Sequence, residues 1–207
     1  MSFTGFTQKD FDVFQVPGLE HRMEALIENV RPKLTILGAE LAPFLSALCG
    51  EEIFPHVAKH ARRKVNPPND TWVAWAANKR GYKALPHFQV GMFGTHLFII
   101  FAVIYESPNK LQFAKQLNSD PSTIHNLVPD HFYWSTDHLD PKGTLNADTS
   151  QDDLQAMGTK LSTVKKAEIM CGLRINHDDP ILQNGEELLK VIHSTFEQLL
   201  PLYKMSF

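Results

Sequence analysis

The sequence predicts an α+β fold: a single mostly antiparallel sheet flanked by helices, with an N-terminal helical segment. Three observations carry this. Residues 19–49 repeat apolar side chains at helical spacing. Residues 71–105 hold three runs rich in β-forming residues. Beyond them helical and strand patterns mix, the order of an α+β protein. With 207 residues and 43% hydrophobic content the chain is long enough to bury one substantial core, so residues 1–207 are read as a single domain.

Thr7-Gln8-Lys9-Asp10 is a capping box, which opens a short helix bearing Phe11 and Phe14 that Pro17-Gly18 ends. Met23, Leu26, Ile27 and Val30 then form one apolar stripe, and Leu34, Leu37, Leu41, Leu45 and Leu48 form the next. Pro32 starts the second helix and Gly50 is its C-cap. Pro43 is expected to kink or shorten that helix, because proline removes a backbone donor. Residues 52–65 fit either period. They are read as a strand because they abut a sheet region and run into Pro67-Pro68.

Residues 71–76, 88–93 and 96–105 are strands, the last two joined at Gly94-Thr95. The last is apolar on both faces, which predicts a central strand covered on both sides. Ser107-Pro108 starts a helix with Leu111, Ala114 and Leu117 inward, and Asp120-Pro121 starts a single turn. Residues 131–135 form a short aromatic strand and residues 137–149 a polar loop. Ser150-Gln151-Asp152-Asp153 caps a helix that turns Leu154, Met157, Leu161 and Val164 inward. Residues 168–176 are a strand, and a final helix over residues 185–203 faces the core with Leu188, Ile192, Leu199 and Tyr203.

The formal net charge of −3 gives no global attraction to nucleic acid or membranes. Cys49 and Cys171 lie in unrelated contexts, without disulfide or zinc-knuckle spacing, which points to a reducing compartment. The N-terminus lacks the pattern of a signal peptide, and the longest apolar run, residues 97–105, is far short of the roughly 20 residues that span a bilayer. The expected location is cytoplasmic, with no membrane partner.

Two stretches carry a family resemblance. Phe3-Thr4-Gly5-Phe6, Asp10-Phe11-Asp12-Val13-Phe14 and Pro17-Gly18-Leu19 form the first. The second runs from His56-Val57-Ala58-Lys59-His60 through Asn66-Pro67-Pro68-Asn69-Asp70-Thr71-Trp72 to Lys79-Arg80-Gly81-Tyr82-Lys83. Over essentially its whole length the chain resembles the YktB-like family of Gram-positive bacteria, a domain-of-unknown-function family. The resemblance implies a compact α/β domain of about this length. It implies no activity, cofactor or catalytic residue.

Two constellations could carry function. Arg62, Arg63 and Lys64 form one basic knot and Lys79, Arg80 and Lys83 a second, with Trp72 and Tyr82 between or beside them. Arginine forks suit phosphate and carboxylate, and aromatic faces suit planar groups. The competing reading makes the cations solvated hairpin edges and the tryptophans core. His56, His60, His131 and His138 are candidate metal ligands, in a chain with ten histidines. They match no strict spacing such as HExxH. No nucleophile elbow or phosphate loop is present.

The sequence therefore assigns no reaction. It supports a binding protein for a small anionic, phosphate-containing ligand, or for nucleic acid, which the net charge does not favour. The alternatives are a metal-dependent hydrolase using a His/Asp cluster and a structural or interaction protein without a small-molecule site. No residue pattern specifies a cofactor or an oligomeric state.

Overall fold

The computed structural model describes residues 2–207. Thr7 and Asp10 form the expected capping box on helix α1 (Gln8–Asp12), and Phe11 is buried directly behind it. Helix α2 (Leu19–Ala25) runs through a π-helical turn, Leu26–Val30, into α3 (Arg31–Cys49), which carries Pro32 in its first turn. Gly50 ends α3 in the left-handed region with its N–H on the Ser46 carbonyl at 3.0 Å.

Pro43 does not shorten α3. Pro43 and Ala39 both lie on the exposed side, where water can meet the carbonyl that loses its partner. By length and composition Leu19–Cys49 could cross a bilayer. In this fold Leu34, Leu37, Leu41 and Leu45 are fully buried, as on a core helix.

Seven antiparallel strands follow: β1 (Phe54–Val57), β2 (Asp70–Ala76), β3 (His87–Phe93), β4 (His96–Val103), β5 (Tyr133–Ser135), β6 (Thr144–Leu145) and β7 (Ile169–Asn176). Their order is β1-β2-β3-β4-β7-β5-β6, so β4 is the middle strand, as its apolar run predicts. The remaining helices are α4 (Lys110–Ser119), α5 (Pro121–Leu127), α6 (Gln151–Thr163) and α7 (Gly185–Lys204). The α+β expectation is met.

Several local expectations are corrected. The strand expected over residues 52–65 stops at Val57, and the basic residues beyond it form a loop that includes His60 at φ 52°. Solvated cations gain nothing from extending the sheet edge. The helix after Ser107-Pro108 begins at Lys110, and the turn after Asp120 is a seven-residue helix. The loop over residues 137–149 contains β6 and a 3-10 turn, Asn146–Asp148. Ile27, Leu111 and Val164, expected inward, are exposed at 47%, 57% and 46%.

The alternation of each strand divides the molecule. Leu97, Ile99, Phe101 and Val103 of β4 join Val73, Trp75, Phe88 and Val90 in the main core under the helices. Trp75 Nε1 donates to the Gly38 carbonyl of α3 at 3.0 Å, and Phe88 and Trp75 both meet Phe196 of α7. The opposite face holds a separate cluster of Phe93, Phe98, Ile100, Ala102, Tyr133 and Met170, with Trp72 packed against it. β4 is buried on both faces, as expected, but helices cover only one. Loops rim the other.

Candidate functional site

The bare face is built from side-chain rows that the strand register sets. One row runs Trp72, Gly91, Phe98, Arg174, and the next runs Gln89, Ile100, Gly172, Tyr133. Gly91 is required by close approach: a β-carbon there would come within 2.4 Å of the Phe98 ring and 2.6 Å of the Thr71 carbonyl oxygen. The Phe98 ring lies in the space Gly91 leaves and forms the floor. Tyr82, Lys83 and residues 104–106 wall one side, and Asp137, His138 and Asp140 wall the other, around a cavity of about 100 Å³. No helical residue lines it.

The aromatic wall is fixed by hydrogen bonds. Trp72 Nε1 donates to the Tyr82 hydroxyl at 3.0 Å, and the Tyr82 ring meets His87 edge-on at 4.8 Å. Behind it His87 Nδ1 lies 2.8 Å from the Leu85 carbonyl and Nε2 lies 2.7 Å from Gln89 Nε2. A neutral imidazole protonated at Nδ1 satisfies both contacts. Burial pushes its pKa down to about 4, consistent with that form.

Charge enters at three points. Arg174 stacks on Tyr133, with Cζ 3.7 Å from the ring centroid. Its Nε is buried without a hydrogen-bond partner, and no carboxylate pairs with it among the described residues. Burial, then the Arg174 charge, holds His96 down at about 4, so Arg174 is the cation at that end. Lys83 pairs with Glu106 at 3.0 Å at the exposed mouth. Asp70 is 4% exposed, and burial raises its carboxyl to about 6 against the pull of His138 and Arg63.

A further group sits at the rim. Glu168, immediately before β7, accepts from the His138 backbone N–H at 2.8 Å and meets His138 Nδ1 at 2.5 Å, both through Oε1. That contact raises the His138 pKa. Glu168 Oε2 is buried and has no hydrogen-bond partner among the described residues. Asp137 completes a set of three donors whose ligand atoms lie within 4.8 Å of one another.

Of the residues singled out in the sequence, Trp72, Tyr82, Lys83 and His138 line the cavity. The two basic knots leave opposite ends of β2, and Arg62, Arg63, Lys64, Lys79 and Arg80 are not among the lining residues. Arg63 turns back on the carbonyls of Asn66 and Pro67 at 3.4–3.5 Å. His56 contacts the Asn78 carbonyl at 2.9 Å and His60 contacts Thr71 Oγ1 at 3.2 Å, while His131 is exposed and precedes β5. Of the four candidate histidines only His138 joins the Asp137 and Glu168 group. Arg174, Asp70, His96 and Glu168 were not singled out. Arg174 had a readable signal, a lone cation inside an apolar strand.

Fold and site together define a class: an antiparallel sheet with helices on one face and a small, loop-rimmed cavity on the other. The chain belongs to the family described as a domain of unknown function, DUF1054, whose model matches residues 6–203. A UPF0637 protein of Bacillus velezensis is 51% identical over 201 residues, covering 97% of this chain and 96% of that one. UPF0637 proteins of Bacillus cereus and Bacillus licheniformis are 48% and 46% identical, covering 99% and 98% of their own lengths. The resemblance to an uncharacterised bacterial family is borne out, and none of these descriptions carries a function. A conserved hypothetical protein from Pyrococcus furiosus matches 89% of this chain and 98% of its own, at 14% identity and a TM-score of 0.40. That likeness carries no argument.

Proposed function

We propose that this protein binds a small monoanion, a carboxylate on a compact apolar or aromatic body, in the bare-face cavity. The observation that carries the reading is Arg174, a guanidinium stacked on Tyr133 whose buried Nε has no partner and which pairs with no carboxylate among the described residues. A buried polar group without a partner costs free energy, and a ligand that supplies the acceptor removes that cost. Phe98, Ile100, Met170 and Trp72 then meet the ligand's body.

Size and charge narrow the class. A cavity of about 100 Å³ suits a small molecule better than a nucleic-acid strand. Asp70, Asp137 and Asp140 also line it, and they would repel a doubly charged phosphate more than a single carboxylate. Lys83 is already paired with Glu106. The reading keeps the anionic ligand expected from the sequence and moves its main contact to Arg174. The two free cysteines and the buried leucine face of α3 support a soluble, cytoplasmic protein.

A thermal-shift panel of small aliphatic and aromatic monocarboxylates, with phosphate and mononucleotides alongside, tests this. A monocarboxylate at 100 times its Kd should add about 2.7 kcal/mol of stability. The shift should vanish in Arg174→Met. A shift that survives that substitution, or one given only by the phosphate compounds, overturns the reading.

A further inference from the structure

We propose that Asp137, His138 and Glu168 form a divalent-cation site at the rim of the cavity. Asp137 and His138 are neighbours in the loop after β5, and Glu168 lies 30 residues on from His138, immediately before β7. The register of β5 on β7, Ser135 opposite Met170, brings the loop after β5 against Glu168. Their donor atoms lie within 4.8 Å of one another, on the scale of a single coordination sphere.

A cluster of this kind is common without a metal, and a histidine–carboxylate ion pair alone would explain His138 and Glu168. The ion pair does not explain Glu168 Oε2. The Glu168 side chain is 5% exposed, yet Oε2 has no hydrogen-bond partner. An interior carboxylate oxygen left bare calls for a partner that no protein group supplies. A cation placed between the three residues provides it. Oε1 keeps its backbone donor from His138 N, and Asp137 keeps its own tie from the Leu139 N–H to Oδ1 at 2.9 Å.

His138 Nδ1 now lies 2.5 Å from Glu168 Oε1. Two ligands on a tetrahedral zinc at about 2.1 Å stand roughly 3.4 Å apart, so on loading the imidazole would give up its contact with Oε1, release the Nδ1 proton and turn to the ion held by Oε2. One nitrogen and two carboxylates suit zinc or manganese better than calcium, which prefers all-oxygen sites. Three protein ligands leave coordination positions free, and Asp137 and His138 line the cavity. The open positions would therefore face whatever the cavity holds. The proposal stands apart from the anion reading, because Arg174 is not a donor.

Full-length protein made without a histidine tag and stripped with chelator is titrated calorimetrically with Zn²⁺ and, separately, with Mn²⁺. The expected result is one equivalent per chain, with a micromolar or tighter Kd for at least one of them. Asp137→Asn should weaken it by roughly tenfold or more, a loss of about 1.4 kcal/mol. Asp137 is exposed, so that variant is not a folding test. Glu168→Gln, nearly the same shape, should weaken it likewise, while His56→Gln should leave it unchanged. No saturable one-to-one binding, an unchanged Kd in Asp137→Asn, or a loss that follows His56→Gln instead would overturn the site.

Discussion

Strand β4 presents the same kind of side chain to two different surroundings. Leu97, Ile99, Phe101 and Val103 pack under helices, and Phe98, Ile100 and Ala102 face the loop-rimmed cavity. Both sets are buried. They differ in the polar groups beside them. Trp75, on the helical face, gives its indole N–H to a helix carbonyl, whereas the bare face collects Arg174 Nε and a desolvated Asp70, with Glu168 Oε2 at its rim. One face is built for stability. The other keeps polar groups waiting for partners, the usual mark of a binding surface.

The largest effect should separate the faces by cavity cost. Phe101→Ala empties a fully enclosed position and should lose about 3–5 kcal/mol in denaturant unfolding. Phe98→Ala opens into space that already exists and that water can enter, so it should lose less, by about 1 kcal/mol or more. Equal losses would mean the bare face is packed as a second core, and the comparison would fail.

Asp70 gives the next test, through pH. Its folded-state pKa of about 6 lies above the ordinary 3.8, so the folded protein holds this proton more tightly than the unfolded chain. The contribution favours folding below pH 3.8 and is lost as pH rises through 6. At pH 8 the ionised carboxylate is therefore a burden. Asp70→Asn should stabilise the protein there by about 2–3 kcal/mol, and the gain should disappear near pH 3.5. Urea midpoints at the two pH values decide it. A gain that does not depend on pH would assign the effect to packing.

The sequence made the helical face legible and the bare face only partly so. The run from Leu97 to Val103 revealed a central strand, and the capping boxes at Thr7 and Ser150 marked helix starts that the structure bears out. Hydrophobicity reports burial but not what does the burying. Phe98 and Phe101 therefore looked alike, and the strand was expected to be covered on both sides without any sign of what covers each. Trp72, Tyr82 and Lys83 stood out because aromatic and basic residues are conspicuous in sequence. The meeting of His138 with Glu168, 30 residues apart, depends on how β5 pairs with β7, which no local pattern encodes. The basic knots misled in the opposite way. They are prominent in sequence, yet they leave opposite ends of β2, and only Lys83 of the six cations lines the cavity.

The smallest expected effect sharpens the comparison most. An arginine that serves the fold is paired, and removing it strands a carboxylate at a cost of about 3–5 kcal/mol. Among the described residues Arg174 has no such carboxylate to strand. Methionine at that position keeps much of the side-chain volume and the contact with Tyr133 while removing an uncompensated charge. Without ligand, Arg174→Met should therefore leave stability within about 1 kcal/mol of the parent, or raise it. Chemical denaturation of the two proteins measures this directly. A loss of more than about 2 kcal/mol would place Arg174 among the residues that hold the fold, and would remove the main reason to regard the two faces of the sheet as different in purpose.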